Sequence, residues 1–112
     1  MGINMNNNSD MFKMLQQQIE TAEKAGQPTK HLVQKQIDLL KNSHDEFIKT
    51  AQQQGYAMNN PRLGDIEVGQ YSAMKRLAQK AGLPIEEYDK LIKDVRIRIF
   101  GEENYKRFFE RQ

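Results

Sequence analysis

Apolar residues in this chain recur every three or four positions, in blocks separated by glycine and proline. In the first block they fall at Phe12, Leu15, Ile19 and Ala22, and Met11 and Met14 widen the same face. That spacing keeps side chains on one side of an α-helix. It predicts a helix capped by Ser9 or Asp10 and closed at Ala25-Gly26, where glycine takes a left-handed conformation. Residues 1–8 hold three consecutive asparagines and no apolar period, and read as a frayed tail. Pro28 and Thr29 restart the chain, in the kind of first turn where the missing N–H of proline is harmless. The second stripe, Val33, Ile37, Leu40, His44, Phe47 and Ala51, is the strongest periodic signal in the sequence. Leu32, Leu39 and Ile48 flank it, glutamine and lysine fill the other face, and the helix is expected to stop by Gly55.

Two such stripes joined by a short loop predict an antiparallel helical hairpin. The first stripe is shorter than the second, so part of the second helix must lie against the C-terminal half or another chain. Residues 55–70 contain three glycines, a proline and an asparagine pair, and are expected to form a linker and hinge. A third helix is predicted over 71–81 with Met74, Leu77, Ala78 and Ala81 inward, broken by Gly82. Pro84 opens a fourth, carrying Ile85, Tyr88, Leu91, Ile92, Val95 and Ile99. After Gly101 a last short helix places Tyr105, Phe108 and Phe109 together, and these are expected to dock on a core because an exposed aromatic patch is adhesive. The expected fold is therefore all-α: a tail over 1–8, a helical hairpin over 9–54, a linker over 55–70, and a three-helix C-terminal unit over 71–112.

Composition sharpens this picture. The chain has 112 residues, 38 % of them hydrophobic, with a mean hydropathy of −0.84. A lean core in a small chain is often completed against a second copy or a partner. There is no cysteine, which removes disulfides, thiolate chemistry and cysteine-bound metal. With a polar N-terminus and no apolar run long enough for a signal core or a membrane span, the sequence suggests a cytoplasmic protein without membrane association. The formal charge is +2, unevenly built: residues 1–55 carry six lysines and six acids, while residues 56–112 carry eleven basic residues, every arginine among them, and nine acids.

Candidate chemistry is sparse. His31 and His44 are thirteen residues apart and form no metal-ligand motif. His44 lies on an apolar stripe and reads as a partly buried polar residue that sets the register of the hairpin. The acid pairs Asp45-Glu46, Glu86-Glu87 and Glu102-Glu103 are adjacent, and neighbours on a helix point about 100° apart, so they cannot converge on one bond. Glu86-Glu87 and Glu102-Glu103 suit first helical turns, where negative charge meets free N–H groups. No glycine elbow surrounds a serine, and no phosphate loop appears. The sequence thus calls for no enzyme, metal or cofactor.

Two segments resemble known motifs. Residues 77–92, LAQKAGLPIEEYDKLI, resemble the helix-turn-helix of DNA-binding repressors: a Leu-Ala pair, a tight turn at Ala81-Gly82, then Leu83, Tyr88 and Leu91. The resemblance implies DNA contact from the start of the second helix, yet that stretch carries Glu86, Glu87 and Asp89, which phosphates repel. Residues 97–110, IRIFGEENYKRFFE, resemble a helix–break–helix signature of phage tail assembly chaperones, which implies an accessory protein of a phage or mobile element.

The sequence therefore favours a protein–protein interaction module, an adaptor, regulator or assembly factor, whose partner is another protein or a second copy. The contact residues it singles out are Phe47, Ile48, Ala51, Tyr56 and Met58. The alternative is a nucleic-acid binder using Arg76, Lys80, Arg96, Arg98 and Arg107.

Overall fold

A computed structural model describes residues 3–110, with side chains described for residues 9–110. The described chain is all-helical: α1 (Ile3–Lys24), α2 (Lys30–Gln53), α3 (Pro61–Ala81), α4 (Glu86–Phe100) and α5 (Glu102–Phe109). Each helix packs on its neighbour in the chain: α1 on α2, α2 on α3, α3 on α4 and α4 on α5. Cross-helix pairs give the directions. Gln36 meets Gln16, His44 meets Gln70 and Tyr71, and Lys75 meets Asp89 while Gly64 faces Ile99. Between α3 and α4 one residue number rises as its partner's falls, and the short connections 25–29 and 54–60 turn the chain back in the same way, so α1 to α4 run up and down.

The result is a flat layer. Its principal extents are 50 × 45 × 14 Å and its radius of gyration is 16.4 Å, against about 13 Å for a compact chain of this length. Among the described residues no helix packs on one that is not its neighbour in the chain, so the array is a single layer of helices. The core lies in the seams: Ile19 from α1, Val33 and Ile37 from α2, Met74 and Ala78 from α3, and Tyr88 from α4.

Several boundaries differ from the sequence expectation. The expected linker over 55–70 is mostly helix, because α3 begins at Pro61. Asn60 caps it, its side-chain oxygen accepting the Arg62 N–H at 2.9 Å, and Pro61 occupies the first turn. The real connection is the short stretch 54–60. The helical period was present in Leu63, Glu67, Tyr71, Met74 and Ala78, but a glutamate in a core position and two interior glycines concealed it.

The expected cap at Ser9 or Asp10 is not used either, because α1 already runs from Ile3. Once a helix is nucleated each further residue adds a backbone bond, and the asparagine penalty is small beside that. Of the expected tail over 1–8, residues 1 and 2 and all the side chains lie outside the described residues. At the other breaks the turn chemistry matches the sequence. At Gly82, φ is +75°, and the Leu83 N–H reaches back to the Ala78 carbonyl at 2.8 Å, closing α3.

Candidate protein-interaction surface

One buried polar cluster joins three helices. His44, on α2, is 5 % exposed, and Glu67, on α3, is 2 % exposed. The His44 Nδ1–H donates to Oε1 of Gln70, and Nε2 is hydrogen-bonded to the Tyr71 hydroxyl at 2.9 Å, so both ring nitrogens have partners. Glu67 Oε1 stands 3.7 Å from the same Nε2, and its Oε2 accepts from the Arg98 guanidinium of α4. Arg98 also donates through Nε to the Met58 carbonyl at 2.7 Å. Burial, then the nearby Glu67 and Asp45 carboxylates, push the Tyr71 phenol above its ordinary value. These polar atoms face one another, and the cluster acts as a pin holding α2, α3, α4 and the 54–60 connection in register.

A second polar feature pins α1 to α2. Gln36 is fully buried, and its Nε2 donates to Gln16 Oε1 at 3.1 Å and to the Phe12 carbonyl at 3.5 Å. Its own Oε1 has no hydrogen-bond partner among the described residues.

Beside this seam lies an open apolar groove. Met11, Met14, Leu15 and Leu39 line it with Gln18 and Lys35, around a volume of about 360 Å³. Met11 is 49 % and Met14 58 % exposed. The cause lies in the helix register. On α1, Phe12, Leu15, Ile19 and Ala22 form one apolar arc, and Met11 and Met14 extend it beyond the part that α2 covers. In the described array α1 is an edge helix, packed against α2 alone. A smaller apolar surface lies at the far end of the layer, where Phe100, Phe108 and Phe109 remain exposed. Of the three aromatics expected to dock, Tyr105 is buried. Phe109 rests against Phe100 and Tyr105 with ring centroids 5.6 and 5.4 Å away, and Phe108 is left open. An eight-residue helix has one narrow inward face, and Phe108 falls off it.

The five residues singled out as partner contacts are mostly inside the chain. Ala51 is buried, Phe47, Ile48 and Met58 are half-buried, and Tyr56 alone is well exposed. The early start of α3 explains this, since the helix runs back along α2. The methionine groove was legible as a broadened stripe at Met11 and Met14, but the pattern could not show which side of that stripe α2 would leave uncovered.

The basic residues divide similarly. Arg98 is drawn inward to Glu67. Arg76 and Arg96 line a polar groove of about 480 Å³ with Lys75, Lys93, Asp89 and Tyr105. Lys75 is paired with Asp89 at 2.6 Å, Lys93 with Glu110 at 3.1 Å, and Arg96 lies over the Phe109 ring at 4.5 Å. The Glu110 bond, first, holds the Lys93 ammonium above its ordinary value. Lys80 and Arg107 are exposed. In the segment that resembles a helix-turn-helix, a short turn over 82–85 joins α3 and α4, which run antiparallel and stay in contact as far as Gly64 and Ile99. The acids of the α4 first turn engage lysines, Glu87 with Lys41 at 3.6 Å and Asp89 with Lys75.

Among the described residues no group of three histidines or acids is placed to hold a metal, and no helix is long and apolar enough to cross a membrane. Compared with known proteins, the chain matches no family model, no curated protein and no solved structure.

Proposed function

We propose that this protein is a helical protein–protein interaction module whose working surface is the open face of the α1–α2 hairpin. One observation carries the reading. The chain exposes 8130 Å², whereas a compact monomer of 13.1 kDa exposes about 6,400 Å². A one-layer array leaves helix faces uncovered that a two-layer domain would bury. In the hairpin groove the uncovered face is apolar and rich in methionine, a side chain that adapts to varied partner shapes. Such a groove suits helix-in-groove or bundle contacts.

Cross-linking mass spectrometry in the native host tests it. Lys13, Lys24, Lys30 and Lys35 report on the hairpin, and the reading expects stoichiometric cross-links from them. Those links should vanish in a Met11→Lys/Met14→Lys variant that keeps its helical circular dichroism. A chain without such contacts, indifferent to that substitution, would remove the basis of the reading.

A second reading, nucleic-acid binding, rests on the groove lined by Lys75, Arg76, Lys93 and Arg96. It predicts a gel shift at low salt that weakens steeply as salt rises and is lost in Arg76→Glu.

A further inference from the structure

We infer that the hairpin groove is filled by a second copy of this chain, two α1–α2 hairpins meeting face to face as an antiparallel four-helix bundle; the inference rests on the interaction reading above and names its partner. Three observations select that occupant.

Area comes first. The exposed surface exceeds that of a compact monomer by about 1,700 Å², and a stable dimer needs only about 800 Å² from each partner. The longer hairpin helix has 24 residues. At 1.5 Å per residue it is about 36 Å long, and with a neighbour about 9 Å away it offers a face of roughly 650 Å². One hairpin face therefore supplies most of one standard interface.

Charge comes second. Residues 1–55 hold six lysines and six acids, so two hairpins meet without net repulsion. The groove itself carries one charged residue, Lys35, at its rim. By contrast the phenylalanine end of the layer is bordered by Asp65, Arg96 and Lys93, with Glu110 beside them.

Shape comes third. A two-fold contact must be self-complementary. The groove's own rim supplies Met11 and Met14, long unbranched side chains able to enter the same groove of the other copy, beside Leu15 and Leu39. The edge position of α1 leaves room for that second layer.

The experiment uses the full chain. Sedimentation velocity should show a species of twice the 13.1 kDa chain mass, and Met11→Lys/Met14→Lys should weaken the dimer at least about tenfold with unchanged circular dichroism. The chain has no cysteine, so a single Gln18→Cys carries one spin label, and double electron–electron resonance should give one short distance between copies. A Phe108→Cys label should give a much longer one. A chain that stays monomeric at hundreds of micromolar overturns the inference. So does a dimer that ignores the methionine substitutions and dissolves on Phe108→Glu. A monomer that still forms methionine-dependent, stoichiometric cross-links to a different protein overturns it too, while leaving the broader interaction reading in place. A monomer without such cross-links ends both.

Discussion

The Nε2 atom of His44 stands 2.9 Å from the Tyr71 hydroxyl, and the two ring centroids are 4.6 Å apart. This pair fastens α2 to α3 near their midpoints, inside a polar cluster that also reaches α4 through Glu67 and Arg98. Tyr71→Phe removes the hydroxyl and leaves a buried imidazole nitrogen without its partner. The expected loss is about 1–2 kcal/mol, read as a lower urea midpoint with an unchanged slope. An unaltered midpoint would mean that water takes over the bond.

Arg98 is the counter-charge of Glu67, which is nearly inaccessible to water. Arg98→Met keeps the aliphatic stem but strands a buried carboxylate, and should cost about 2–4 kcal/mol, somewhat less if water enters through the partly exposed arginine site. Pairing it with Glu67→Leu should recover most of that loss, since replacing both partners with apolar groups is often close to neutral. A double-mutant cycle in urea measures the coupling. Strict additivity of the two losses would show that the pair does not interact.

Two interior glycines of α3 should respond to alanine with opposite signs. A Cβ on Gly64 would stand 2.7 Å from Ile99 Cγ1 and 2.8 Å from Cδ1, whereas one on Gly69 would meet nothing within 4 Å. Gly69→Ala should gain about 0.5–1 kcal/mol through helix propensity alone. Gly64→Ala has the same gain but must displace Ile99 from the α3–α4 seam, for a net loss of about 1 kcal/mol. Thermal melts of the two variants should shift in opposite directions.

Gln36 has an unsatisfied buried acceptor in the α1–α2 seam. Gln36→Leu removes it at similar volume, and the partner it abandons, Gln16, is half-buried and able to turn to water. A gain of about 1 kcal/mol in urea unfolding is expected. A loss instead would identify the Gln36 amide as a net stabilising clamp on α1.

Tyr71 and Tyr88 both have phenol pKa values raised above the ordinary value near 10, first by burial; Glu67 then adds to the rise at Tyr71, while Lys41 opposes it at Tyr88. In the unfolded chain these phenols lose their protons earlier, at about pH 10. Their contribution to stability is therefore whole below that pH and falls as pH rises through the elevated folded values. Ultraviolet titration should show some of the four tyrosines ionising late, with unfolding following. Tyr71→Phe should soften that alkaline fall.

Much of the architecture was legible along the chain. The stripe from Val33 to Ala51, the glycine stops at 26, 55, 82 and 101, and the prolines and acids of first turns marked most of the helices. The exception was α3. Its opening was signalled by Asn60-Pro61, yet Gly64, Gly69 and Glu67 looked like linker residues because each has a reason that only neighbours supply. Gly64 makes room for Ile99, and Glu67 occupies a core position because Arg98 and His44 meet it there.

The sequence by itself determined most of the helices and their order, because a 3.6-residue period and its stop signals are local properties of the chain. It also determined the scarcity of chemistry-bearing motifs. Only the tertiary structure decided which part of each apolar stripe is covered. Coverage depends on the angle and register at which α1 to α4 settle, and these are set by contacts between residues tens of positions apart. That is why Ala51 lies inside while Met14 faces outward, and why Arg98 serves a buried glutamate.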